Sequence, residues 1–89
     1  MRLTFDEDGW DDYLHWQRVD PKVLKRINAL IKEASRAPFE GTGSPEALRG
    51  DLSGYWSRRI SREHRVVYRV TGDGAAQALE IAQLRYHYR

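Results

Sequence analysis

The chain has 89 residues and a formal net charge of +2, and it contains no cysteine. This length leaves room for one domain, residues 1–89, and excludes a second, because single domains cluster at roughly 100 to 150 residues. The missing cysteines exclude disulfide frameworks, thiolate zinc sites and cysteine nucleophiles. The small net charge hides a division, since residues 1–20 carry six acidic and two basic side chains, whereas the remainder carries 13 basic and seven acidic ones.

The N-terminus lacks the features of a targeting segment. It becomes acidic from Asp6 onward without an apolar stretch, unlike a signal or transit peptide. No apolar run approaches the roughly 18 residues that a membrane-spanning helix needs. Together with the absence of cysteine, these features favour a cytoplasmic protein that does not associate with membranes.

Two helices are predicted after a short opening strand at Leu3–Phe5. The first has large apolar side chains at helical spacing: Trp10, Tyr13 and Leu14. The second begins after Asp20, a residue type that caps helix N-termini, and has Pro21 at its first position. Its apolar side chains recur every three or four residues, and we expect it to end near Arg36, before the next proline.

The C-terminal half has the pattern of strands. Three segments, Gly54–Ile60, Arg65–Val70 and Ala78–Tyr86, are rich in β-branched and aromatic residues and are separated by turn sequences. Two hairpins in series would form an antiparallel meander, while residues 38–45 form a loop rich in glycine and proline. The predicted fold class is therefore α+β, with two N-terminal helices packed on one face of a small antiparallel sheet.

Arginine is concentrated in the strand region, and this density points to a polyanionic partner. Strand alternation places Arg65 and Arg69 on one face, and arginines of the preceding strand, such as Arg59, could converge with them there. The alternative is a solvated basic face with charge pairs along it. The composition leaves both interpretations open.

Several reaction types lack their motifs. The sequence Gly41-Thr42-Gly43 is too short for a phosphate-binding loop, and it has neither a preceding strand nor a following lysine. The three histidines are spread over the chain without carboxylates at the spacing of metal ligands. We therefore expect neither a nucleotide cofactor nor a metal.

The remaining ionisable side chains suit RNA cleavage without a metal. This reaction needs a base for the 2′-hydroxyl proton, an acid for the departing 5′-oxygen and fixed cations for the phosphorane. Glu46, His87 and the arginines are of these types, although a carboxylate can instead cap a turn and a terminal histidine is often only a surface group. Trp56 and tyrosines could stack on unpaired bases. A place in the core is favoured for three other aromatic residues: Trp10, Tyr13 and Tyr68.

Several ordered motifs, spread over nearly the whole chain, resemble one bacterial family. The motifs are Pro38–Leu48, Leu52–Ile60, Glu63–Tyr68, Arg85–Tyr88, Trp10–Tyr13 and Lys25–Asn28. Together they resemble the YoeB toxins of the Txe/YoeB branch of the RelE superfamily. The resemblance implies a RelE-like, microbial-ribonuclease-like fold. It also implies the toxin of a type II toxin–antitoxin pair, which occupies the ribosomal A site and cuts the mRNA there.

The resemblance also implies roles for individual residues. Glu46 would be the general base and His87 the general acid of the cleavage reaction. Arg65 would stabilise the phosphorane, and Tyr88 would position the substrate. These four residues form the expected catalytic set.

Further side chains are candidates for binding RNA and the ribosome. By the resemblance, Arg59 would contact the RNA backbone, and Arg49 stands where many family members have lysine, which keeps the charge but changes the donor geometry. With Trp56 they form the expected RNA-binding set. Helix two carries cations that suit docking on ribosomal RNA, although a solvated helix face is at least as good an explanation. These cations are Lys22, Lys25, Arg26 and Lys32.

The partners that the resemblance implies are a YefM-like antitoxin, the bacterial ribosome with its mRNA, and a second copy of the chain in a homodimer. A disordered acidic segment of the antitoxin would be expected to fold on the toxin surface. The rival to an enzyme is a non-catalytic RNA- or ribosome-binding module that blocks translation by occupancy. Both would use the arginines, but only the enzyme needs Glu46 and His87.

Overall fold

The computed structural model describes residues 1–86, and three C-terminal residues, His87, Tyr88 and Arg89, lie outside the described part. The described residues contain two helices, neither of them long and apolar enough to cross a membrane. These helices are α1 (Glu7–Val19) and α2 (Pro21–Arg36). The strands are β1 (Arg2–Phe5), β2 (Glu46–Ala47), β3 (Trp56–Arg59), β4 (Arg65–Thr71) and β5 (Ala78–Gln83).

The described strands form one mixed sheet in the order β1-β5-β4-β3-β2. β3, β4 and β5 are successive antiparallel neighbours, as the meander predicted, and β2 adds an antiparallel strand beyond β3. β1 pairs in parallel with β5, with Leu3 opposite Leu79, so the prediction of a purely antiparallel sheet is wrong at this edge. The reason is topological, because both helices separate β1 from the later strands and a helical crossover permits parallel pairing.

The helix boundaries follow from capping residues. The side chain of Asp6 accepts a hydrogen bond of 2.8 Å from the amide of Gly9 and so begins α1. The side chain of Asp20 accepts from the amides of Lys22 and Val23, and its own amide donates to the carbonyl of Trp16. One residue therefore ends α1 and caps α2, as a helix N-cap aspartate can. The predicted limits of the second helix are confirmed.

The buried face of α1 differs from the predicted one. Trp10 is 46% exposed, so its expected core position is wrong, and Leu14 is also exposed at 38%. The buried residues of α1 are Gly9, Asp12 and Trp16. A Cβ atom at Gly9 would lie 2.1 Å from the carbonyl oxygen of Ile81, so α1 sits directly against the backbone of β5. This close approach needs glycine, and it leaves Trp10 and Leu14 on the outer side of α1.

The core lies between the helices and the sheet. Its least exposed apolar members come from α2, β4, β5 and the residue that follows β5: Ile27, Leu30, Tyr68, Leu79, Ile81 and Leu84. The predicted core position of Tyr68 is confirmed, and Tyr13 is a partly buried residue packed at the edge of this cluster. Trp10 instead stacks on Tyr13, with ring centroids 5.9 Å apart. The helices thus cover one face of the sheet.

Candidate active site

One row of residues crosses the sheet on the face opposite the helices. Glu46 in β2 lies opposite Ser57, Ser57 opposite Val67, and Val67 opposite Gln83. Residues opposite each other in a sheet point to the same face, and we call this face the distal face. Ser57, Val67 and Gln83 are buried, whereas Glu46 is exposed. The row therefore forms a buried floor with a carboxylate at its outer end.

Two arginines lie next to this row on the distal face. Arg59 at the end of β3 is opposite Arg65 at the start of β4, two positions along from Ser57 and Val67. Nη1 of Arg65 donates to the carbonyls of Ser61 and His64 at 3.0 and 3.2 Å. A guanidinium fixed in this way presents its charge in one orientation, and Arg59 adds a second, exposed charge.

The loop that leads to Glu46 is held by a buried cation. The side chain of Arg58 is fully buried on the helix-facing side of the sheet. Its Nη2 donates to the carbonyls of Ala37 and Glu40 at 2.5 and 2.7 Å, and its Nη1 donates to the carbonyl of Thr42 at 3.1 Å. Arg58 belongs to the arginine-rich strand region for which the composition predicts a polyanionic partner, but the structure gives this side chain an internal role instead.

Two more side chains complete the contacts of this loop. The hydroxyl of Tyr68 donates to the carbonyl of Pro38 at 2.6 Å and accepts from Nε of Arg58 at 3.0 Å. The carboxylate of Glu33 accepts from the amide of Thr42 at 2.8 Å. This hydrogen bond, together with the charge of Arg58, lowers the pKa of Glu33, whereas burial raises the pKa of Tyr68. The loop therefore enters β2 from a fixed position.

Two side chains of α1 hold the backbone just after β5. The carboxylate of Asp12 accepts from the amide of Leu84 at 2.9 Å, and the indole of Trp16 donates to the carbonyl of Leu84 at 2.8 Å. Both polar backbone groups of one residue are thus bonded to side chains one helical turn apart. This explains why β5 ends at Gln83, earlier than the predicted end at Tyr86.

The next described contacts hold Tyr86. The amide of Tyr86 donates to Nδ1 of His64 at 2.7 Å, and the carbonyl of Tyr86 accepts from the amide of Arg65 at 3.0 Å. Tyr86 has a φ angle of 60°, in the left-handed region that non-glycine residues rarely adopt. His87 and Tyr88 follow directly in the sequence but lie outside the described residues. The last described residue, Tyr86, therefore lies beside Arg65.

The structure separates the predicted RNA-binding residues. Arg49 is exposed and precedes a 3₁₀ turn, Gly50–Leu52, soon after Glu46. Arg59 lies on the distal face, as described above. Trp56 is opposite Ala47 and Tyr68, which places it on the helix-facing side, where its ring packs 4.8 Å from that of Phe39. A contact between Trp56 and RNA stays a prediction, and the packing favours a role in the core.

The cations of α2 lie at the surface. All four predicted docking residues are exposed: Lys22, Lys25, Arg26 and Lys32. Arg26 also donates from Nη2 to the carbonyl of Arg59 at 3.0 Å, so this cation is tied to the end of β3. In the sheet, Nε of Arg69 donates to a carboxylate oxygen of Glu80 at 2.7 Å, and this hydrogen bond raises the pKa of Arg69. The arginines of the sheet therefore do not act as one continuous basic surface.

The sequence alone did not predict the side chains that bind the backbone segments on either side of the site. The side chains of Arg58, His64, Asp12 and Trp16 bind backbone groups that are distant in sequence, and residue type alone does not predict such contacts. One signal was available for Asp12, because it stands one helical turn from Trp16 on the side of α1 that also carries Gly9. Among residues 1–86, no group of three or more histidine, aspartate or glutamate side chains is placed to hold a metal ion.

Comparison with known proteins decides the family. A family model described as "YoeB-like toxin of bacterial type II toxin-antitoxin system" matches residues 5–88. The chain belongs to this family. Toxin YoeB of Escherichia coli strain K12 is 56% identical over 88 residues, which cover 99% of this chain and 100% of the relative.

Solved structures of YoeB toxins agree with this fold. A YoeB/ParE toxin from Agrobacterium tumefaciens superposes with a TM-score of 0.94 at 55% identity, covering 99% of this chain and 100% of its own. YoeB of Staphylococcus aureus has been solved as a dimer and in a heterotetrameric complex with YefM. These two structures match at TM-scores of 0.86 and 0.85, both at 42% identity and covering 99% of this chain and 98% of theirs. The predicted family and the RelE-like α+β fold are confirmed, apart from the parallel pairing of β1.

Proposed function

We propose that this YoeB-family toxin is a ribosome-dependent, metal-independent endoribonuclease that cleaves mRNA in the ribosomal A site and so inhibits translation. The observation that carries the proposal is the arrangement of the distal face. Glu46, Arg59 and Arg65 share this face, and Tyr86, the residue before His87 in the sequence, accepts a hydrogen bond from the amide of Arg65. A candidate base and two cations from separate parts of the sequence thus share one face, and the residue before the proposed acid is bonded to one of these cations.

In the proposed reaction, Glu46 removes the proton of a ribose 2′-hydroxyl, and the resulting oxygen attacks the adjacent phosphorus. The bond from phosphorus to the 5′-oxygen of the next nucleotide then breaks. His87 gives its proton to this departing oxygen, so the products are a cyclic 2′,3′-phosphate and a 5′-hydroxyl. Glu46 is exposed, which suits a base that must reach a polymeric substrate.

Arg65 stabilises the negative charge that gathers on the phosphorane. Its Nη1 is anchored to the carbonyls of Ser61 and His64, so the planar guanidinium need not reorganise when this charge develops. Such preorganised cations act most strongly in the transition state. Arg59 and Arg49 contact the RNA backbone, and Tyr88 positions the substrate. Trp56, which is only partly buried, keeps its predicted stacking contact with an RNA base.

The ribosome supplies what a chain of 89 residues lacks. Cleavage requires the reacting oxygen and phosphorus to be held in line, and a substrate fixed in the A site already meets much of that requirement. The exposed cations of α2 are suited to docking on ribosomal RNA: Lys22, Lys25, Arg26 and Lys32. We therefore expect naked mRNA to be cleaved far more slowly than ribosome-bound mRNA in a side-by-side assay. Equal rates would contradict this part of the proposal.

The proposed partners are a YefM-like antitoxin and a second copy of the chain. Staphylococcus aureus YoeB, at 42% identity, has been solved with YefM and as a dimer, which supports both. Production of the chain in the bacterial cytoplasm should arrest growth, and co-production of the cognate antitoxin should restore it. Sedimentation at micromolar concentration tests the homodimer, and a monomer with full activity would remove it.

The decisive test replaces the proposed base and acid. Glu46→Gln and His87→Gln should each abolish new mRNA ends in a purified translation reaction, as mapped by primer extension. Matched controls are Glu40→Gln, an exposed carboxylate of the preceding loop, and His15→Gln in α1, which should both cleave like wild type. Wild-type cleavage by both test variants would refute the assignment.

The same assay separates the enzyme from a non-catalytic binding module. A module that blocks translation by occupancy would stop protein synthesis without producing new mRNA ends. Its block would also survive Glu46→Gln and His87→Gln, because neither residue is among the cations of α2 that are proposed to dock on ribosomal RNA. Cleavage that disappears in both variants therefore favours the enzyme.

A further inference from the structure

The chain between β5 and His87 is fixed at two successive points. Asp12 and Trp16 bind both backbone groups of Leu84, and His64 and Arg65 together bind both backbone groups of Tyr86. This pattern is unusual for a segment near a chain end, where backbone groups are commonly solvated. The second point is the more informative, because Tyr86 is the residue immediately before His87.

Tyr86 is held in a conformation that it would not adopt by itself. Its φ of 60° lies in the left-handed region, where a side chain with a Cβ atom is disfavoured. Such conformations persist only when surrounding contacts determine them, and they cluster at functional sites. The described contacts of the Tyr86 backbone are the 2.7 Å bond to Nδ1 of His64 and the 3.0 Å bond from the amide of Arg65. Of these two hydrogen bonds, only the one to His64 involves a side chain.

The ring of His64 is itself held in place. It meets the indole of Trp16 edge-on, with centroids 4.9 Å apart and an interplanar angle of 78°, and it lies 5.4 Å from the ring of Tyr86. A backbone amide can only donate, so Nδ1 of His64 must accept and cannot carry a proton while this bond exists. His64 therefore acts here as a fixed hydrogen-bond acceptor. The proton for the departing 5′-oxygen must then come from another residue.

We infer that His64 is a positioning residue for the acid step, which it serves by fixing Tyr86 and so the point from which His87 departs. This inference rests on the proposed function, in which His87 protonates the leaving 5′-oxygen. His64 need not touch the substrate. Its contribution is to remove alternative orientations of the Tyr86 peptide, because a general acid is effective only within hydrogen-bonding reach of the atom that it protonates.

The chain offers a matched set of variants. His64→Phe keeps a ring against Trp16 but removes the acceptor, whereas His64→Asn restores an acceptor close to the position of Nδ1. His15→Phe is the control, because the ring of His15 also lies 4.9 Å from that of Trp16, edge-on at 77°, but no described bond joins it to Tyr86. Melting temperatures of all variants identify any that fail to fold.

The experiment measures single-turnover cleavage of ribosome-bound mRNA at the site that wild type cuts. Two substrates are compared, one with the natural 5′-oxygen and one with sulfur at that bridging position. A thiolate leaves without being protonated, because its conjugate acid has a pKa of only about 8.5. On the oxygen substrate, His64→Phe should be roughly 10- to 100-fold slower than wild type, below the full loss expected for removal of a general acid. His64→Asn and His15→Phe should remain near the wild-type rate.

On the sulfur substrate, His64→Phe and His87→Gln should both return to the wild-type rate, whereas Glu46→Gln should stay slow. Two results would overturn the inference: His64→Phe cleaves the oxygen substrate like wild type, or it is equally slow on both substrates. The proposed function fails separately, if His87→Gln cleaves the oxygen substrate like wild type. Amide hydrogen exchange at Tyr86 gives a readout without activity, because His64→Phe should speed exchange there and His15→Phe should not.

Discussion

The guanidinium of Arg58 and the hydroxyl of Tyr68 lie 3.0 Å apart beneath the sheet, and both bind the loop that precedes Glu46. Arg58 reaches the carbonyls of Ala37, Glu40 and Thr42, and Tyr68 reaches that of Pro38. A loop rich in glycine would otherwise sample many conformations. These side-chain contacts instead keep the loop ordered, although it lacks the regular backbone hydrogen bonds of a helix or a strand.

Replacing Tyr68 with phenylalanine should loosen this loop while preserving the core. The substitution removes the donor to Pro38 and the acceptor for Nε of Arg58, and both partners are then left without that bond. We expect a loss of about 1–3 kcal/mol in the free energy of unfolding, measured by urea denaturation. Tyr13→Phe is the control, because its hydroxyl bonds Asn28 at an exposed site, and it should change stability little. Equal losses in the two variants would contradict the buried role of Tyr68.

Replacing Gly9 with alanine should destabilise the protein even though alanine favours helices. The added Cβ would lie 2.1 Å from the carbonyl oxygen of Ile81, so α1 must move away from β5. We expect a cost of about 1–3 kcal/mol, and thus a melting temperature lower by roughly 4–8 °C for each kcal/mol. Asp11→Ala, at an exposed position of the same helix, should have little effect. A stabilised Gly9→Ala protein would show that the close contact is not required.

The fold could be predicted where local chemistry decides it. Asp20 followed by Pro21 specifies a helix start in almost any context, and both limits of α2 agree with the sequence. The buried face of α1 could not be predicted, because it depends on the contact between Gly9 and the backbone of β5, which is distant in sequence. The parallel pairing of β1 with β5 has the same cause, since no local signal specifies which strand a short opening strand will join.

The stability of the protein should fall at acidic pH partly through Glu33. Its hydrogen bond with Thr42 lowers its pKa in the folded state below the ordinary value of 4.5. The stability that this bond provides is therefore present above about pH 4.5 and is lost as the pH falls through the folded-state pKa. In Glu33→Gln, melting temperatures measured from about pH 3 to about pH 7 should show a shallower acid decline than in wild type.

The control for this experiment is Glu40→Gln, which removes an exposed carboxylate from the neighbouring loop. It should retain the full acid decline of the wild-type protein. A Glu33→Gln profile that is parallel to wild type would mean that the carboxylate of Glu33 does not contribute to the loss of stability in acid.

Binding to ribosomes should depend on the cations of α2. Lys22→Gln combined with Lys25→Gln removes two exposed charges, and the logarithm of the association constant should then fall less steeply with the logarithm of salt concentration, by roughly 1.5 in slope. Binding measured by co-sedimentation over a salt series gives this slope. The control combines Arg2→Gln and Arg18→Gln, which remove the same charge elsewhere. The same change of slope in both pairs would indicate a general charge effect.

The candidate reactive residues of the site could be predicted from the sequence, but the residues that hold them in position could not. Glu46 and Arg65 were selected from their side-chain types and from the family motifs, and the sheet register places both on the distal face. Arg58 differs from Arg59 by one position, and its full burial could not be anticipated because a buried cation depends on carbonyls gathered from a distant loop. His64 likewise gains its contact from Tyr86, 22 residues away.

The position of β5 has a consequence for how the protein is made. β5 lies between β1 and β4, yet it is the last of the described strands in the sequence. A growing chain cannot complete its sheet before residues 78–83 have been synthesised, because β1 has no other described neighbour. Folding must therefore wait for contacts of long sequence separation. The toxin can in this way assemble its sheet, and with it the distal face, only after β5 has left the site of synthesis.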